Sequence, residues 1–138
     1  MRSWNFDPNA KGNKIPQQLK TLIQARVCKH AASTCAGRYE RLELRFRGEF
    51  CYIDAYREPD EPSPELLTIT GESATQYRER LTNSPIHLCR VRYYGDMESW
   101  GLAFYKYSSN GYELCMFPSG KFRGTLEAAF DVGSVYLI

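Results

Sequence analysis

The stretch RLELRFRGEFCYIDAY, residues 41 to 56, limits the fold more than any other part of the chain. Leu42, Leu44 and Phe46 alternate with Glu43, Arg45 and Arg47, Gly48 interrupts, and alternation resumes from Phe50 to Tyr56. Two such runs around a glycine have the pattern of an antiparallel hairpin. A tight turn at Arg47-Gly48 predicts the pairs Phe46 with Glu49, Leu44 with Cys51 and Leu42 with Ile53. That register puts Leu42, Leu44, Phe46, Cys51, Ile53 and Ala55 on one face. The other face then carries Glu43, Arg45, Phe50, Tyr52, Asp54 and Tyr56, mixing rings with charges.

A ribbon with one apolar face needs cover, and the preceding segment supplies it. With Pro16 in a first-turn position, Leu19, Leu22, Ile23, Val27 and His30 or Ala31 recur at three- and four-residue spacing. That spacing predicts an amphipathic helix starting near Ile15 and ending before Ala36-Gly37. Residues 57 to 65, with three prolines and five charges, form a loop. A short helix follows in SATQYRERL, where Ser73 and Gln76 have capping-box spacing.

IHLCRVRYYG then reads as a strand with Cys89, Val91 and Tyr93 on one side and Arg90 and Arg92 on the other. WGLAFYKY is the next strand, turned at Asn110-Gly111 into YELCMF, with Ala103, Tyr105 and Tyr107 beside Tyr112, Leu114 and Met116. Both faces of this second ribbon are apolar, which predicts a central hairpin covered on both sides. Thr125 caps a short helix in LEAAFD, and SVYLI closes the chain as a last strand. The order predicts the α+β class: a mainly antiparallel sheet of about five to six strands, an N-terminal amphipathic helix and two short helices. Residues 1–14, without periodicity, form a flexible arm, and residues 15–138 a single domain.

Composition narrows the class. A chain of 138 residues fits one domain that buries roughly two-thirds of its unfolded surface. Ten Tyr, seven Phe and two Trp favour strands and give rings able to show a polar tip at a surface. The net charge is only +2, so any basic binding surface is local. No apolar run is long enough to cross a membrane and the start lacks a signal-peptide core, so the protein is expected to be cytoplasmic. Five scattered cysteines without a C-x-x-C pair are expected to be reduced and mostly buried.

WGLAFYKY partly fits the octamer of the RNA-recognition motif, K/R-G-F/Y-G/A-F-V-x-F/Y: Gly101, Ala103, Phe104 and Tyr107 match. Trp100 removes the leading cation and Leu102 one stacking ring, and the element order also departs from that fold, so membership is not expected. The stronger binding candidate is the face with Arg45, Arg47, Phe50, Tyr52 and Tyr56, extended by Arg90 and Arg92 if the strands are neighbours. It suits a protein or nucleic-acid partner, with the protein a monomer or homodimer.

Cys28, His30 and Cys35, with His87 and Cys89, supply metal-ligand types without metal-ligand spacing, and Cys28 and His30 lie about 200° apart on a helix, so no metal or other cofactor is expected. Asp54, between Tyr52 and Tyr56, is the one catalytic candidate, as the centre of a small hydrolase. No nucleophile elbow, phosphate loop or H-E-x-x-H accompanies it, so a non-enzymatic binding protein is the first expectation.

The shared pattern of Arg45-Phe46-Arg47-Gly48-x-Phe50-x-Tyr52-Ile53-Asp54, Leu88-Cys89-Arg90-x-Arg92-Tyr93, Trp100-Gly101-x-Ala103-Phe104-Tyr105, Pro118-Ser119-Gly120 and Gly124-Thr125 resembles that of a family of short uncharacterised bacterial proteins. The resemblance spans about residues 15 to 137. It departs after Thr125, where Leu126-Glu127-Ala128 stands in place of a T-P-E-E-A run. It implies no activity and assigns no catalytic or binding residue.

Overall fold

A computed structural model of the chain describes residues 11 to 137. Helix α1 (Gln17–Thr34) is followed by strands β1 (Arg41–Arg47) and β2 (Phe50–Tyr56), then helices α2 (Pro64–Thr70) and α3 (Ala74–Thr82). Strands β3 (Ile86–Tyr93), β4 (Trp100–Lys106), β5 (Gly111–Leu114) and β6 (Arg123–Gly124) precede helix α4 (Leu126–Gly133), which runs into a 3-10 turn at Ser134–Leu137. The strands lie in the order β1-β2-β3-β4-β5, all neighbours antiparallel, and the short β6 pairs with Trp100 and Gly101 of β4. The architecture is α+β, as the element order implies. Among the described residues no helix is long and apolar enough to cross a membrane. Residues 1–10 of the expected arm lie outside the described residues; Gly12 donates to Glu49 Oε2 at 2.6 Å and the Asn13 amide to the Tyr93 carbonyl at 2.7 Å.

Helices α1 and α4 pack on each other and on one side of the sheet. α1 buries Ile23, Val27 and Ala31, while Leu22 stays 49% exposed, so its stripe is narrower than the sequence spacing implies. Cys51, Ile53, Ala55, Cys89, Val91 and Trp100 meet these helices in one core. Arg26 ties the layers together, its guanidinium 2.7 Å from both Glu98 and Glu127. α2 and α3 bury no residue and form an insertion between β2 and β3.

Four local expectations need correction. The first hairpin turns at Gly48-Glu49, with Arg47 opposite Phe50, Phe46 opposite Cys51 and Leu44 opposite Ile53. Gly48, at φ 59°, takes the left-handed first position of a two-residue loop and leaves Arg47 as the last strand residue. The slip is even, so each face keeps its members.

The second ribbon is not central. β4 lies inside the sheet, but β5 ends at Leu114 on the edge and Met116 is 52% exposed. SVYLI is not a strand: with β5 and β6 already on the free side of β4, no pairing position remains there, and the chain coils to bury Leu137. Finally, Pro64 begins α2, a helix the loop assignment overlaps; Ser63 caps it by accepting from the Leu66 amide, and Gly71 ends it at φ 74°. The capping box at Ser73 and Gln76 forms as spaced, and Thr125 accepts from the Ala128 amide at the start of α4.

β3 carries a bulge. Ile53 opposes Cys89 but Asp54 opposes His87, so Leu88 is an extra residue, and Leu88 and Cys89 are both fully buried. α4 approaches closely here: a Cβ on Gly133 would lie 2.8 Å from the Leu88 carbonyl oxygen. Alanine normally stabilises a helix interior over glycine by about 1 kcal/mol. Gly133→Ala is expected to reverse that sign and destabilise by about 1–3 kcal/mol in urea unfolding, because backbone must move; a stabilised variant would contradict the close approach. Burial pushes the Cys51 and Cys89 thiols up, Cys89 to about 12. Both are expected to resist a thiol reagent at pH 8 until the protein is denatured, and modification of either in the native protein would show that this core opens.

Candidate functional site

The side of the sheet away from α1 and α4 is set by strand parity. β1 contributes Glu43, Arg45 and Arg47, β2 contributes Phe50, Tyr52, Asp54 and Tyr56, and β3 contributes Arg90 and Arg92. The register places Arg90 opposite Tyr52 and Arg92 opposite Phe50, so the arginines extend the hairpin face across a third strand. β4 and β5 add Ala103, Tyr105, Tyr112 and Leu114. No helix packs extensively on this side among the described residues.

The face is a lattice of rings and guanidinium groups. The Arg90 guanidinium lies 4.2 Å from the Phe50 ring centre and 5.5 Å from that of Tyr112, and Arg92 lies 4.6 Å from Phe50. Arg45 covers Tyr52 at 4.9 Å, and Arg41 covers Tyr56 at 3.7 Å. Tyr112 meets Tyr52 and Tyr105 edge-on at 5.3 and 5.0 Å. Each cation–ring contact contributes about 0.5–1 kcal/mol at an exposed site. Arg92 pairs with Glu49 at 3.0 Å, and Arg45 pairs with Asp54; among the described residues Arg47 and Arg90 have no carboxylate partner, so the face keeps a local positive excess.

Under the rings lies Asp54, 1% exposed and the only buried charged residue among the described ones. Arg45 donates to its Oδ2 from Nε at 3.2 Å and pairs through Nη2 at 3.1 Å. On Oδ1, His87 Nδ1 sits at 2.9 Å. The carboxylate accepts, so Nδ1 carries a proton, and in the neutral ring the lone pair is on Nε2. Nε2 makes no hydrogen bond among the described residues and is not a buried orphan, and the side chain is 27% exposed. The imidazole leans on the Tyr105 ring at 4.5 Å, and the His87 amide donates to the Tyr107 hydroxyl at 2.8 Å. The Tyr112 hydroxyl is buried without a hydrogen-bond partner among the described residues, and burial raises its pKa. Beside Tyr107, Arg57, Leu81, Ile86 and Tyr136 line a cavity of about 390 Å³.

Every residue assigned from sequence to the binding face therefore shares one side of the sheet, and Asp54 lies beneath it. Leu102 and Phe104, where the RNA-recognition octamer has its stacking rings, belong to the helix-covered side. Among the described residues no three metal-ligand side chains converge.

Sequence reasoning missed His87, Tyr105 and Tyr112 as members of the face. Simple alternation groups His87 with Cys89 and Val91 in the core; the bulge at Leu88 turns it outward. The signal was present as two apolar residues in a row, Leu88-Cys89, before the charges begin to alternate.

No family model, curated protein or solved structure matches the chain.

Removing Arg45 leaves a buried carboxylate with His87 as its one side-chain partner among the described residues, whereas Arg78 pairs with Glu58 and Glu61 in solvent. Arg45→Ala is expected to cost about 1–3 kcal/mol and Arg78→Ala no more than about 0.5 kcal/mol, measured by urea unfolding. Equal losses would show that the Asp54 cluster holds the sheet no better than a surface pair does.

Proposed function

We propose that this is a small cytoplasmic binding protein and that the open sheet face captures single-stranded nucleic acid. The observation that carries the reading is the combination, on the side of the sheet with no extensively packed helix among the described residues, of Phe50, Tyr52 and Tyr112 with guanidinium groups 4.2 to 5.5 Å from their ring centres. Rings and guanidinium planes both accept stacked bases, and the charges of Arg47 and Arg90 suit a phosphate backbone. The mutual ring contacts favour the same reading, because a ligand meets side chains already held in place and little order is lost on binding. The cavity beside Tyr107 has a volume in the range of small-ligand sites and admits a planar group at the end of the face. A modest net charge of +2 restricts phosphate contacts to this surface, so a short footprint with few ionic contacts follows.

Fluorescence anisotropy with labelled single-stranded RNA and DNA 12-mers tests the proposal. Binding at low salt should weaken as salt is raised. Tyr52→Ala with Arg90→Ala should weaken it at least about tenfold, since one lost stacking ring alone is worth about 1–3 kcal/mol. An absence of binding at low salt, or a double variant that binds like the parent, rejects this face as a nucleic-acid surface.

A further inference from the structure

Asp54 does more than join three strands: it holds a base and a cation side by side. His87 occupies one carboxylate oxygen and Arg45 the other, at 2.9 and 3.1–3.2 Å, so imidazole and guanidinium flank a single buried group. Each keeps a free end. His87 presents an Nε2 lone pair and Arg45, half exposed, its Nη1, neither of them hydrogen-bonded among the described residues. A buried carboxylate costs stability, and a purely structural cross-link has no need for a solvent-accessible imidazole nitrogen with a fixed tautomer. Such an arrangement is what proton abstraction next to a developing negative charge requires.

We propose that the Asp54–His87–Arg45 cluster cleaves RNA bound on the open face by internal transesterification, an inference that rests on the nucleic-acid reading above. His87 Nε2 removes the proton of a ribose 2′-hydroxyl, and the 2′-oxygen forms a bond to the adjacent phosphorus. The bond from phosphorus to the 5′-oxygen breaks, its electron pair staying on that oxygen, which takes the proton back from the imidazolium. The products are a 2′,3′-cyclic phosphate and a free 5′-hydroxyl, with no net gain or loss of atoms, protons or electrons. Arg45 Nη1 neutralises charge on the phosphoryl oxygens, and Asp54 acts as a positioning residue that holds both groups. Tyr105 and Tyr112 border the imidazole, at 4.5 and 6.4 Å, and offer stacking for the base on the reacting ribose. DNA lacks the 2′-hydroxyl, so the same face binds it without reaction.

The substrate for the test is a labelled oligodeoxynucleotide with one ribonucleotide, alongside its all-deoxy equivalent, both incubated in EDTA with the full chain. Cleavage is expected only after the ribonucleotide, with a cyclic phosphate identified by mass. His87→Gln, purified in parallel and compared at oligonucleotide concentrations that saturate each protein by anisotropy, should cleave at least about a hundredfold more slowly. Arg45→Lys, which keeps the charge but loses the free guanidinium edge, should also slow it about a hundredfold, and it serves if His87→Gln melts early. An intact chimaeric oligonucleotide overturns the proposal, and its anisotropy shows whether binding failed as well or chemistry alone. Cleavage by His87→Gln at the parent rate overturns it too.

Discussion

The Asp54 carboxylate is the constraint around which the sheet is arranged. It sits on β2, is held by Arg45 from β1 and by His87 from β3, and so connects three strands through one buried charge. Burying a carboxylate costs several kcal/mol before any partner is counted. Charged hydrogen bonds on both oxygens offset that cost, and they require strand register and the Leu88 bulge to be right at once. A slip of one residue in either ladder would leave the charge facing apolar side chains.

Above that carboxylate arginines and rings contact one another across the face. Lysine could not replace arginine here, because the planar guanidinium stacks and donates at the same time. Arg45 does both, covering Tyr52 while bonding to Asp54. The result is a surface whose polar and aromatic groups hold one another, with no helix packed extensively over them among the described residues.

The helices explain why one side is open. α1 and α4 supply enough apolar surface for one side, bringing Ile23, Val27 and Ala31 into the same core as Leu126, Ala129 and Phe130. α2 and α3 contribute no buried residue, and among the described residues no helix packs extensively on the second side. The distribution of apolar stripes among the helices therefore puts the core on one side of the sheet and the ring-and-arginine lattice on the other.

The fold class, the two faces of RLELRFRGEFCYIDAY and the helix caps at Ser73 and Thr125 were legible in the sequence, because alternation and capping are local and follow from the geometry of strands and helix ends. Even the register slip left the faces intact. Which strand lies at an edge was not legible: SVYLI alternates like a strand, but whether it pairs depends on edges already occupied by β5 and β6. The membership of the site was also divided. Arg45, Phe50, Tyr52 and Asp54 share a side by parity alone, which the sequence determined, and Arg90 and Arg92 join them because β3 pairs with β2. His87 joins them only through a bulge, and Tyr105 and Tyr112 only because β4 and β5 extend the same sheet. A bulge answers to packing between Leu88 and Gly133, residues far apart in the chain, and such a contact exists only once the tertiary structure has formed.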